Sequence, residues 1–277
     1  MVMVNYMNRK ISIQRLGIAL IIFLLCSTAI VCAATDTYEY TFRKALHIVF
    51  VEDGRGLELL KGFRNVAVFS LIIIILGLFF AFLEFLCMYM GNRVITGILV
   101  EINRIVFLLP EMISILIIYY GVFGGDPKYG LIGAGIAFVV FFGTWMAPIF
   151  YDIINDISIG EKEAAYTMGY SKWQALFKIY IPQSLSKMIA SLEGNVIIII
   201  KTTALIEIVN VETVESVANA IRENTHVQIW PYAVSGMTYI ILAGSLAWLV
   251  RFLSRKLAKL DNDPDKVRNR ILKGRIK

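Results

Sequence analysis

The chain has 277 residues, 58% hydrophobic and 17% charged, with mean hydropathy +0.70 and formal net charge +6. That is too apolar for a water-soluble domain of this length, and no stretch between the apolar runs is long enough to bury a core of its own, so one membrane domain is expected. Three cysteines inside apolar runs, two histidines far apart and no G-x-x-x-x-G-K-[ST] exclude a disulfide scaffold, a metal site recognisable from sequence and a P-loop.

A spanning helix needs about 20 predominantly apolar residues, because a hydrocarbon core about 30 Å thick is crossed at about 1.5 Å per residue. Six stretches qualify. The first, residues 16–34, follows Arg9, Lys10 and Arg15 and ends in Cys32-Ala33-Ala34, a pattern shared by a retained span and a cleavable signal segment. The second covers residues 66–83, with Glu84 expected to reach back to the inner interface. Residues 105–123 form the third, carrying Glu111 beside Pro110, and residues 129–151 the fourth. The fifth, 189–209, holds Glu193, Asn195, Lys201, Thr202, Thr203 and Glu207, and the sixth is 230–250. The expected fold class is therefore an all-α membrane protein with five core spans plus an amino-terminal span or signal segment.

With the amino terminus in the cytoplasm, nineteen Lys and Arg fall on the inner side and seven on the outer, and one, Lys201, lies within a span. This asymmetry sets the orientation, with both termini cytoplasmic if the first span is retained. Ten of the basic residues form the tail after residue 250, read as facing the anionic inner leaflet and not nucleic acid.

Between the fourth and fifth spans, residues 152–188 make a cytoplasmic loop patterned as two short helices. Good helix formers from Ile159 run to Gly169, a residue suited to a left-handed cap. Ser171 and Gln174 then fit a capping box that opens a second helix with Trp173, Leu176, Phe177 and Tyr180 on one face, and Pro182 should kink or restart the chain. Ala164 and Ala165 offer a helix surface with little side chain, and Glu163 an acceptor for a basic partner. A helix packed only on its own chain explains the same residues equally well.

Glu163-Ala164-Ala165, Gly169 four residues on, and Ile181-Pro182 resemble the EAA loop of ABC-importer permeases, of the MetI-like type I transmembrane domain. Asn195 followed by Lys201-Thr202-Thr203-Ala204-Leu205 resembles the N-x5-K-D-T-S-L segment of the polar amino acid permeases. Glu101 with Arg104, Pro110 with Tyr119-Tyr120-Gly121, and Pro231-Tyr232 with Tyr239 are similar to other positions of that subfamily. Departures are Pro148 and Tyr151 where Glu and Arg are common, Thr202 and Ala204 for Asp and Ser, and three extra residues before Pro110.

The resemblance implies a permease domain over residues 63–257, after an extracytoplasmic lead-in at 35–62 and before a basic tail at 258–277. It implies the permease subunit of an ATP-driven importer of a small polar solute, an amino acid by subfamily, or of another small solute. Partners implied are ABC ATPase subunits, a second copy or a similar permease, and an extracytoplasmic solute-binding protein. ATP and Mg would be held by the ATPases, this chain binding no cofactor and catalysing nothing. Glu163, Ala164, Ala165 and Gly169 would couple to the ATPase. Asn195, Thr202 and Glu111 are the translocation-path candidates, against interhelical hydrogen bonds for the first two, and Lys201 should face protein or a wet cavity because a charge at the bilayer centre costs about 2.5–3.5 kcal/mol. From other classes, Asp126 and Asp152 invite an intramembrane aspartyl protease, and a non-transporting scaffold is a third reading.

Overall fold

A computed structural model describes residues 42–225, 227 and 229–261. The expectations for residues 1–34 and for the basic tail beyond residue 261 lie outside them. Among the described residues, all regular structure is helical. The described residues divide into two compact units, 42–57 with 218–234, and 58–217 with 235–261.

In the first unit, α1 (Phe42–Phe50) leads into a turn at Glu52–Gly54. Arg55 ties that turn together: its guanidinium donates to the Ile48 carbonyl at 2.9 Å and pairs with Glu52 and Asp53. Ile48 and Val227 are buried, with Trp230 packed against them, and the Tyr232 hydroxyl donates to Asn219 at 2.5 Å.

The longest helix, α2 (Arg55–Met90), covers the second predicted span with more than a turn to spare at each end. It is followed by α3 (Arg93–Leu108), α4 (Glu111–Phe123) and α5 (Gly130–Asn155). After the loop helices come α8 (Ile181–Thr202), continued by a 3-10 segment Thr203–Val209, then α9 (Val214–Thr225) and α10 (Trp230–Asp261). Among the described residues, four helical stretches are long and apolar enough to cross a membrane, and a fifth crossing exists if the bent pair α3–α4 counts as one.

That pair corrects the expected straight span at residues 105–123. The axis turns by 98° between Leu108 and Glu111. Pro110 has no N–H and forces the residue before it out of the helical region, and Leu109 is accordingly extended at φ −76°, ψ 128°. The same residues show that positions 93–104, assigned to a connecting loop, are helical: Asn92 caps α3 by accepting from the Ile95 N–H at 2.9 Å, and Thr96 Oγ1 fastens it to the Met88 carbonyl of α2 at 2.8 Å.

In the second unit the core is organised on α5, whose buried Ala134, Ala137, Phe138, Phe141, Met146 and Phe150 recur at helical spacing. It packs on α3, α4, α8 and the 3-10 segment. Against α2 the contact is reciprocal: a Cβ on Gly77 would collide with the Phe142 ring, and one on Gly143 with the Phe80 ring. Small residues that admit a facing side chain are how membrane helices approach closely, since lipid supplies no hydrophobic drive between them. Edge-to-face pairs Phe69–Phe138 and Phe85–Phe150 extend the seam.

Candidate coupling surface and intramembrane polar residues

The loop after α5 folds as its residues dictate. Ser158 caps α6 (Ile159–Thr167), accepting from the Glu161 N–H at 3.3 Å while its hydroxyl donates to the Glu161 carboxylate at 3.1 Å. The helix starts at Ile159 as expected, and Ser158-x-x-Glu161 is the sequence signal for its cap. Gly169 has φ +79°, the expected left-handed position, and the Tyr170 N–H closes the end on the Ala165 carbonyl at 3.2 Å. The Ser171–Gln174 capping box is present in both directions and opens the single turn α7 (Lys172–Ala175). A π-helical turn, Leu176–Tyr180, then runs into α8 with Pro182 at its second position, so the chain restarts there within one helical run.

The wider π turn breaks the predicted aromatic face. Leu176 and Tyr180 are buried, whereas Trp173 and Phe177 remain 51% and 44% exposed, stacked on each other with centroids 5.7 Å apart.

Of the four coupling candidates, Glu163, Ala164 and Gly169 are exposed. Ala165 is not: at 0% exposure it seats α6 on its own chain. The expected two-alanine outer surface is therefore one alanine, flanked by exposed Tyr166 and Met168. Three contacts fix the loop to the membrane helices. Gln183 of α8 donates to Glu161 at 3.0 Å, the Lys162 ammonium donates to the Asn155 carbonyl of α5 at 2.6 Å, and the Lys172 ammonium sits 4.9 Å from the centre of the Tyr89 ring of α2. A displacement of α6 thus reaches α5 and α8 directly, and α2 through α7.

A Cβ at position 169 would meet nothing within 4 Å, so substitution there tests backbone conformation alone. Gly169→Val, β-branched at positive φ, should cost roughly 1–2 kcal/mol locally and unwind the α6–α7 corner. The expected result is unchanged membrane insertion with faster proteolysis between residues 167 and 172; wild-type cleavage rates would count against it.

Inside the membrane helices, Asn195 and Thr202 lie two turns apart on α8, both half-buried. Thr202 donates only to its own helix, to the carbonyls of Ile198 and Ile199 at 3.1 and 2.9 Å. The Asn195 amide donates to the Ser191 carbonyl at 2.8 Å and reaches Met146 Sδ of α5 at 3.2 Å. Interhelical bonding therefore holds for Asn195 and not for Thr202. Glu111 is half-buried in the first turn of α4, where its charge complements the helix dipole, and no hydrogen bond among the described residues joins it to the other two. Lys201 is exposed. The Glu193 carboxylate accepts from Arg251 of α10, with the Nε contact at 2.9 Å, binding α8 to the last span.

Glu84 contradicts its expected position at the interface. It is 8% exposed on α2, and both carboxyl oxygens are buried without a hydrogen-bond partner. Beside it on α3 is Asn103, 6% exposed, whose side-chain amide is the polar group that faces the carboxyl, too loosely placed for a well-formed hydrogen bond. The difference follows from residues 93–104 being helix where a loop is expected: α3 leaves α2 through the short turn at Gly91 and Asn92 and sets Asn103 beside Glu84.

The two aspartates of the protease reading sit on either side of α5, with Asp126 accepting from the Lys128 N–H at 2.9 Å and Asp152 exposed in the last turn. A helix of that length separates them by roughly 30 Å, too far to share a proton.

The sequence pattern of the family described as binding-protein-dependent transport system inner membrane component matches residues 62–259. A glutamate/aspartate import permease protein, GltK of Escherichia coli O6:H1, is 29% identical over 139 residues, covering 50% of this chain and 62% of GltK, less than two thirds of that relative. A putative glutamine transport system permease protein, GlnP of Rickettsia bellii, is 24% identical over 79% of this chain and 98% of its own. Among solved structures, an amino acid ABC transporter crystallised with histidines superposes with TM-score 0.63 at 18% identity, covering 73% of this chain and 94% of the other, a likeness of fold.

Proposed function

The chain belongs to the family of binding-protein-dependent transport system inner membrane components, and from that premise we propose that it is the permease subunit of an ATP-driven importer whose solute is an amino acid. The observation that carries the coupling is α6, a short helix outside the membrane spans that exposes Glu163 and Ala164 and is braced to α8 and α5, while the adjoining α7 is braced to α2. The relatives' names support the solute class.

In this reading both ends of the described spans follow the basic-residue asymmetry, placing α6 in the cytoplasm against an ABC ATPase subunit. ATP and Mg belong to the ATPases, which supply the hydrolysis. When two ATPases approach each other, Glu163 and Ala164 take the push, and the Gln183–Glu161, Lys162–Asn155 and Lys172–Tyr89 contacts pass it to α8, α5 and α2. A solute-binding protein outside then delivers its ligand to the opened path, and resetting follows hydrolysis. Exposed Lys201 in the middle of an apolar segment supports a second permease copy, or a similar chain, as the surface that receives it.

Asn195, Thr202 and Glu111 are the proposed path residues. Asn195 is the first to test because its amide nitrogen is held by Ser191 and Met146, which leaves its side-chain carbonyl oxygen to meet a solute. In vesicles containing the permease, its ATPase and its binding protein, Asn195→Leu should alter uptake rate or the ranking among amino acids, with the protein still inserted. Identical uptake of every amino acid tried would return Asn195 to a packing role. Absence of any ATP-dependent uptake by the wild-type assembly would defeat the function itself.

A further inference from the structure

A cavity of about 540 Å³ opens where the end of α2 and the start of α3 meet α5 and the loop helices. Arg93, Lys162 and Lys172 line it, with Tyr89, Tyr166 and a single acid, Glu101. None of the three cations has a carboxylate partner among the described residues, and Glu101 is already paired with Arg104 at 2.9 Å. The cavity therefore carries an excess of positive charge. Its level is also marked: the apolar run of α2, whose only charged residue is the buried Glu84, gives way to Tyr89, Gly91 and Arg93 at the cavity's rim, where a headgroup layer begins.

We propose that this cavity holds the headgroup of an anionic phospholipid of the inner leaflet, and that the lipid braces α6 and α7 against the end of α2. The inference rests on the cytoplasmic placement of α6 given above. Charge decides the occupant: basic pockets between membrane helices on the cytoplasmic side suit phosphate headgroups, and the anionic leaflet supplies them at high local concentration. Tyrosine rims fit the same position, since an amphipathic ring is at home at the boundary of hydrocarbon and water. Lys162 and Lys172 belong to the loop helices and Arg93 to α3, so one phosphate contacts both sides of the joint.

The test uses the full chain purified in detergent, with phosphatidylglycerol and phosphatidylcholine as probes and native mass spectrometry as the readout. Wild type should retain phosphatidylglycerol in preference to phosphatidylcholine, and the triple variant Arg93→Gln, Lys162→Gln, Lys172→Gln should lose that preference by about tenfold or more. Glu101→Gln, which removes the opposing charge, should strengthen retention and guards against reading a misfolded triple variant as support. Equal retention of both lipids by wild type overturns the proposal. So does displacement of phosphatidylglycerol by millimolar inorganic phosphate, which would make this a site for a free anion. Unchanged lipid preference in the triple variant with loss of ATPase co-purification overturns it too, in favour of a protein-docking face. Lipid retention needs neither ATPase nor solute, so its failure leaves the import reading standing. Failure of ATP-dependent uptake leaves the lipid measurement valid.

Discussion

Glu163→Lys is expected to reduce solute-stimulated ATP hydrolysis by about tenfold or more in the reconstituted assembly while leaving the permease inserted and folded. Glu163 is exposed, and its backbone carbonyl, not its carboxylate, takes the Thr167 hydroxyl at 2.9 Å. The chain therefore loses no contact of its own when the carboxylate is replaced. What changes is the face offered to a partner, and like-charge juxtaposition across an interface costs several kcal/mol. Equal co-purification of the ATPase with wild type and variant, together with equal stimulated hydrolysis, would show that α6 docks on nothing through this residue. Ala165→Lys would not be an equivalent experiment, because position 165 is buried and the variant would fail by unfolding the loop.

Glu84→Met should have the opposite sign on stability. The buried Glu84 carboxyl meets only the loosely placed Asn103 amide, so its desolvation is poorly compensated. Replacing the acid with an apolar side chain of similar length should raise stability by about 1–3 kcal/mol, read as a higher unfolding temperature in detergent. A lower unfolding temperature would mean that Glu84 has a strong partner in the assembled transporter. If the variant is more stable yet transports poorly, the loosely bonded pair is kept for its work and not for the fold.

The parts legible in the sequence were those governed by local rules. Apolar runs placed α5, α10 and most of α2, and the Gly169 cap and Ser171–Gln174 box were written in consecutive residues. What was misjudged depends on contacts between distant residues. Nothing near Ala165 in the chain announces that one of two adjacent alanines turns inward, and Glu84 looked interfacial because the helix that covers it was assigned to a loop. Pro110 carried the missing signal: a proline within an apolar run can bend a span, and here it ends one helix and begins another. The π turn at Leu176–Tyr180 had no such marker apart from Pro182, and it displaced two aromatics from their expected face.

The right-angled elbow at Pro110 has one more implication. Its arms hold 16 and 13 residues, about 24 and 20 Å of rise, so neither crosses an oily layer unaided. The final carbonyls of the first arm have few amides left to answer them, and hydrocarbon offers none. This corner must therefore be moist or wrapped by polypeptide when the protein sits in its bilayer, and the acid that follows the proline stands at that threshold.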